Sequence, residues 1–334
     1  MNTISFPGLG IGPTKINPSF IKTFFPDSEF FLDIKWYAVI ITFGMILAFF
    51  YARSRAKYEG ISDDDIYDVT LWCIIAGIVG ARLYYVAFQF ESYLVTDGDF
   101  WYNLKETFLN IINIREGGLA IYGGIIVGVL TGYLIARKKR IRFATLADVA
   151  APAIMIGQIV GRWGNFFNAE AYGTETTLPW RMGLMDRYGE WSYVHPTFLY
   201  ESLWNLAGFV LIAVFYKKKK YNGQVFLFYA AWYGLGRSFI EGLRTDSLMG
   251  GSIRVSQIVG ILSFLVGAAL FFLFWKKTPA SMKLIPAVAE AKADSVAEKA
   301  EESCDDTASE TEEVSGDASE TEICESETHD GETD

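Results

Sequence analysis

Residues 255–275 read Val255-Ser-Gln-Ile-Val-Gly-Ile-Leu-Ser-Phe-Leu-Val-Gly-Ala-Ala-Leu-Phe-Phe-Leu-Phe-Trp275 and carry no charge. About 20 consecutive apolar residues suffice for a helix to cross the hydrocarbon core of a bilayer. Working back toward the N-terminus, six more runs fit the same length: Trp36–Ala52, Val69–Phe90, Leu119–Ala136, Thr145–Phe167, Pro196–Tyr216 and Gln224–Leu243. Seven such runs predict an all-α polytopic membrane protein with seven transmembrane helices.

The composition agrees. Of 334 residues, 51% are hydrophobic and only 20% charged, against about 25% charged in a soluble domain. The net charge of −10 averages two unlike parts. Residues 284–334 hold 18 acidic and 2 basic side chains, a net of −16, which leaves +6 for the rest. A greasy, mildly basic body excludes a soluble enzyme and a nucleic-acid binder, and three Cys exclude a disulfide-framed secreted domain. After Pro286 the chain is Glu-, Asp-, Ser-, Thr- and Ala-rich, with too few large apolar residues to build a core, and reads as a disordered tail. Its Cys304 and Cys324 match no zinc or redox spacing.

Lys and Arg in short loops set orientation. One set of loops holds Arg53, Arg55 and Lys57; Arg137–Arg140 and Arg142; Lys217–Lys220; and Lys276, Lys277 and Lys283. The other holds Lys15, Lys22, Lys105, Arg115, Arg181, Arg187, Arg244 and Arg254, 8 against 15. The N-terminus is therefore expected outside and the C-terminus in the cytoplasm. Nothing before Trp36 has the basic start and apolar core of a cleavable signal peptide, and this stretch contains Pro7, Pro13, Pro18 and Pro26. The expected organisation is an extracytoplasmic arm over residues 1–35, a seven-helix transmembrane domain over 36–277, and an acidic cytoplasmic tail over 278–334.

Ionisable groups at membrane depth are costly and point to function. In this orientation Arg82, Arg162, Asn165, Glu170, His195, Tyr200, Glu201, Arg237, Glu241 and Arg244 fall in the outer half of the bilayer, with Tyr37 and Tyr122 at the outer ends of their runs; Asp148 is the exception. Arg162 and Asn165 are i,i+3 and Arg237 and Glu241 are i,i+4, so each pair shares a helix face. Arg162 has no acidic residue at i±3 or i±4. Without a carboxylate partner from another span, an anionic ligand is its natural counter-charge, and guanidinium offers a planar fork to phosphate oxygens. Gly124, Gly128 and Gly132 form a small-xxx-small face suited to close helix packing. Gly117-Gly118 and Gly123-Gly124 flank Tyr122, where they would let a lipid headgroup approach the backbone.

No His, Cys and carboxylate cluster has metal-ligand spacing, so neither a metal nor another cofactor is expected. There is no Gly-x-Ser-x-Gly elbow, P-loop or dinucleotide fingerprint. The last run has no Lys for a retinal Schiff base.

The stretch Gly161-Arg-Trp-Gly-Asn-Phe-Phe-Asn-Ala-Glu-Ala-Tyr-Gly173 closely resembles the signature of the bacterial prolipoprotein diacylglyceryl transferases. Further blocks agree in order: Trp36-Tyr37, Gly80-Ala-Arg82, Gly117-Gly-Leu-Ala-Ile-Tyr-Gly-Gly124, His195-Pro-Thr-Phe-Leu-Tyr-Glu201 and Tyr233-Gly-Leu-Gly-Arg-Ser-Phe-Ile-Glu241 with Arg244. The resemblance runs from about Trp36 to Trp275.

The resemblance implies a multi-pass enzyme of the bacterial cytoplasmic membrane. Its partners would be phosphatidylglycerol and prolipoprotein signal peptides. It would move a diacylglyceryl group to the lipobox Cys thiol, forming a thioether and releasing glycerol phosphate. It further implies Arg162, Asn165, Tyr37, Arg244 and Glu241 as lipid-binding residues, with Arg237, Glu170 and Tyr122 in the catalytic set. Some members have His where this chain has Tyr122, and a basic residue where it has Val194. Tyrosine, titrating near about 10, is the poorer base at neutral pH. Arginines in a low-dielectric pocket would stabilise a phosphate leaving group and bias a thiol toward thiolate.

Two other readings use the same residues. A lipid or solute transporter or flippase would also use interior arginines and a glycine-rich span, but the polar cluster is off the midplane and no internal repeat is visible. A seven-span receptor gives the Gly-Arg-Trp-Gly-Asn stretch no role.

Overall fold

A segment crossing lipid must satisfy its backbone polar groups internally, and a helix does so. The computed structural model describes residues 2–24, 33–114, 117–246, 249–250 and 253–284. The chain runs β1 (Asn2–Phe6), β2 (Ile11–Ile16), α1 (Phe20–Phe24), α2 (Trp36–Tyr58), α3 (Asp63–Phe88), α4 (Phe100–Ile112), α5 (Ile121–Lys138), α6 (Phe143–Asn168), β3 (Met182–Met185), β4 (Trp191–Val194), α7 (Thr197–Phe215), α8 (Gln224–Leu243), the short strands β5 (Met249–Gly250) and β6 (Ile253–Arg254), and α9 (Val255–Lys276). The expected tail from residue 285 on, with Cys304 and Cys324, and Arg115 lie outside the described residues.

The protein is a predominantly helical, polytopic membrane protein. Six helices, α2, α3, α5, α6, α7 and α9, are long and apolar enough to cross a bilayer. The remaining expected run forms α8, a 20-residue helix whose hydropathy is lowered by Gln224, Arg237 and Glu241. It packs between α7 and α9. Trp204 of α7 and Trp232 of α8 stack with centroids 4.5 Å apart, and each indole N–H donates to the other's carbonyl at 2.9 Å. The close packing expected from glycine holds for α3 and α5. A Cβ on Gly124 would lie 3.3 Å from the Gly77 carbonyl oxygen, and one on Gly132 3.4 Å from Cys73 Sγ.

Two features lie outside the seven expected helices, and the first departs from a purely α fold. The expected N-terminal arm supplies β1 and β2 to a four-stranded antiparallel sheet, ordered β2-β1-β3-β4, with β3 and β4 inserted between α6 and α7. These strands are too short and irregular to stand out beside the apolar runs. The second is α4, whose polar and apolar residues are segregated and which exposes Phe100, Trp101, Leu104 and Phe108, the pattern of a helix lying in a membrane interface.

The sheet lies at one end of the helices, where Trp36 at the start of α2 stacks on Phe167 at the end of α6, 5.0 Å apart. At the opposite end the basic loops are paired. Lys219 is 2.8 Å from Glu59 and 3.0 Å from the fully buried Asp148. Asp148 also accepts the Gly223 and Phe226 amides, at 2.8 and 3.0 Å, and so caps α8. Lys139, pairing with Asp65 and Asp68, is pushed up to about 12 by those hydrogen bonds. Residues 280–283 stay attached there, through the Asn222 amide to the Met282 carbonyl at 2.9 Å and Arg142 to the Lys283 carbonyl at 2.8 Å.

Candidate active site

The sheet end of the helices gathers charge from three of them. Arg162 lies near the end of α6, Glu201 in the first turns of α7, and Arg237 and Glu241 in the last turns of α8. Antiparallel packing brings these ends together, and Ser202 fixes the level of α7 by donating to the Ile159 carbonyl at 3.0 Å. The Glu201 carboxylate is shared. One oxygen is 2.5 Å from Arg162 Nη2, the other 3.2 Å from Arg237 Nη1. Arg237 turns its second nitrogen to Glu241 at 2.6 Å. The carboxylates are almost wholly buried, Glu201 at 4% and Glu241 at 2% side-chain exposure, while Arg162 keeps 21% and Arg237 15%.

The condition attached to Arg162 is thereby settled: it has a carboxylate partner from another helix, so a counter-charge is supplied within the protein. Glu201 is the residue whose role sequence reading missed. Its signal was its depth, since it is an acid at the same expected level as two arginines.

From Arg162 the network continues. Arg162 Nη1 donates to Asn165 Oδ1 at 3.1 Å, Asn165 donates to Glu170 at 2.9 Å, and Asn168 donates to the same Glu170 oxygen at 3.2 Å. Glu170 is turned back over the helix end because Ala169 and Ala171 both take left-handed backbone conformations, φ 51° and 57°, unusual for a residue with a Cβ. Thr197 holds this turn by donating to the Ala171 carbonyl. The loop then joins the sheet and α8: the Gly173 amide donates to His195 O at 2.9 Å and the Thr174 amide to Leu243 O at 2.8 Å. A Cβ on Gly173 would sit 2.7 Å from the His195 Cβ.

Tyr37 packs its ring against Gly164, where a Cβ would come within 2.7 Å of it. Arg244 does not join the arginine pair; it grips Asp246 with two hydrogen bonds of 2.9 Å. Burial works to raise Asp246, but that two-pronged contact outweighs it and holds the carboxyl below its ordinary value. His195 is tied to Tyr200 at 3.2 Å, and Tyr200 accepts from Trp180 at 2.8 Å. Tyr122 is half-buried in the first turn of α5, and among the described residues no hydrogen bond joins it to either arginine. No group of His, Cys, Asp and Glu among the described residues could hold a metal ion. On the same helix as Arg162, Gly157 and Gly161 face open space: a Cβ built on either meets no atom within 4 Å beyond its own stretch of α6.

A model of the prolipoprotein diacylglyceryl transferase family matches residues 28–273. The chain belongs to this family. Curated members similar to it are named phosphatidylglycerol–prolipoprotein diacylglyceryl transferase. That of Finegoldia magna is 47% identical over 244 residues, covering 73% of this chain and 92% of the relative. That of Listeria innocua is 42% identical over 246 residues, covering 72% and 85%, and that of Clostridioides difficile 42% identical over 238 residues, covering 71% and 90%. The arginine and glutamate cluster of this family member lies within the matched span.

Proposed function

We propose that the protein transfers the diacylglyceryl group of phosphatidylglycerol to the lipobox cysteine of prolipoproteins, in the bacterial cytoplasmic membrane. The observation that carries this is the sharing of Glu201 by Arg162 and Arg237. Two guanidiniums from separate helices are held at one end of the helices, and in this reading an acyl chain lies along α6, where Gly157 and Gly161 leave open space.

In this reading the sheet end is extracytoplasmic, α8 is the seventh crossing, the N-terminus is outside, and residues from 278 on lead into a cytoplasmic tail. The positive-inside bias of the loops and the Asp148–Lys219–Glu59 cluster at the far end support it.

The lipid phosphate competes with Glu201 for the N–H groups of Arg162 and Arg237. In a low-dielectric site this pair stabilises the charge growing on the leaving phosphate far more than it would in water. The acceptor thiolate bonds to the glyceryl carbon that carries the phosphate ester. The carbon–oxygen bond to phosphate breaks, and glycerol phosphate leaves with the electron pair. Glu170, exposed beyond the last turn of α6, takes the thiol proton. Asn165 and Tyr37 bind the headgroup, Glu241 steadies Arg237, Arg244 with Asp246 forms the rim, and Tyr122 donates a hydrogen bond from the start of α5.

The test is incubation of the full-length protein in vesicles with phosphatidylglycerol labelled in its acyl chains and a lipobox peptide. Thioether-linked label on the peptide Cys, lost in R162A, is the expected result. Lipid movement between leaflets without labelled peptide would favour a flippase and overturn the reading.

A further inference from the structure

Arg82 is the buried arginine the mechanism does not use. It lies near the end of α3 with 7% exposure, and no carboxylate pairs with it among the described residues. All its guanidinium N–H groups go instead to backbone carbonyls. Nε donates to Ile111 at 2.7 Å, Nη2 to Asn110 and Asn113 at 2.8 Å each, and Nη1 to Gly117 at 2.9 Å and Gly118 at 3.0 Å. Tyr93 covers the group, its ring centroid 4.9 Å from Cζ.

These carbonyls belong to the last turn of the interfacial helix α4 and to the approach to α5. Aiming the Gly117 and Gly118 carbonyls at Arg82 takes left-handed backbone, φ 92° and 76°, which glycine adopts without strain. A Cβ on Gly118 would run into Arg82 Nη1. Gly117-Gly118 therefore serves an internal arginine, where the sequence had suggested a path for a lipid headgroup. Two residues on, the Ala120 amide donates to the Ala81 carbonyl at 3.0 Å, so the chain reaches Tyr122 bolted to α3 from both sides.

We propose that Arg82 is a positioning residue for the transfer reaction: by collecting five carbonyls it sets where α5 begins, and so where the Tyr122 hydroxyl stands. This rests on the role given to Tyr122 above. Lysine keeps the charge but, as a compact ammonium with three rotatable donors, cannot reproduce a planar five-donor fork.

The experiment compares R82K, Y122F and R82K/Y122F, each full-length in phosphatidylglycerol vesicles with a lipobox peptide. R82K is expected to lose about 100-fold in kcat with KM for phosphatidylglycerol unchanged, the scale of a misplaced catalytic group. The double variant is expected to be no slower than R82K alone, which a merely structural role would not produce. Where R82K fails to accumulate, G118A approaches the same contact from the other side and should show the same kcat loss and the same non-additivity with Y122F. Losses that multiply in the double variant, a raised KM with kcat intact, or full activity of R82K beside an impaired Y122F would overturn this proposal alone. A fully active Y122F would overturn the role of Tyr122 and this proposal with it.

Discussion

Arg162 and Glu201 stand 39 positions apart in the chain, and their side chains meet at 2.5 Å. The contact joins α6 to α7, and through the other Glu201 oxygen it reaches Arg237 on α8. A carboxylate serving two arginines in a desolvated place has two consequences. It makes both cations tolerable at that depth, and it occupies the N–H groups an anionic headgroup would use.

Replacing Glu201 separates these effects. Removing one partner of a buried ion pair costs about 3–5 kcal/mol. E201Q is therefore expected to unfold at a markedly lower temperature than the parent in detergent free of anionic lipid. Adding phosphatidylglycerol should raise its midpoint more than it raises the parent's, because phosphate then meets Arg162 without its carboxylate and Arg237 paired with Glu241 alone. Thermal unfolding with and without the lipid measures this. Equal lipid-induced shifts would mean that Glu201 and the headgroup do not compete.

Gly173 makes a sharper steric statement. Its α-hydrogen position leaves 2.7 Å to the His195 Cβ and 3.1 Å to the Leu243 carbonyl oxygen for any added Cβ. G173A must push the loop after α6 off β4 and α8, and that loop carries Glu170. Overpacking costs about 1–3 kcal/mol, while a misplaced catalytic group costs about 100-fold in rate. Activity should therefore collapse while most of the protein remains folded, as read by turnover and circular dichroism on the same sample.

At the opposite end, Lys219 keeps only 6% side-chain exposure between Glu59 and Asp148. K219M leaves two buried carboxylates facing each other and should lower the unfolding midpoint, while turnover per folded molecule measured well below that midpoint stays at the parental level. An unchanged midpoint would show that the cluster is not holding α2, α6 and α8 together.

Asp246 gives a pH signature. Its folded carboxyl is held below the ordinary value of 3.8, so its stabilising contact with Arg244 is fully present above that pH and fades as pH falls through the lower folded value. Hydrogen exchange at residues 244–246 should stay slow from neutral pH down to that range and then quicken, a step absent from D246N. A step at higher pH would contradict the arrangement.

The sequence alone determined the class of this protein. Long uncharged runs such as Val255–Trp275 leave a chain few options but to cross lipid as helices, because no other single segment satisfies its own backbone there. It also determined local pairs, such as Arg237 with Glu241, since i,i+4 spacing fixes their distance once the helix forms. The motif around Arg162 was legible because it is long and contiguous. Helix periodicity, however, gives a face without naming its neighbour. That Glu201 bridges two arginines, that Arg82 is spent on carbonyls, and that the N-terminal arm completes a sheet with an insertion more than 170 residues away all depend on which helix ends meet. Tertiary packing alone decides that.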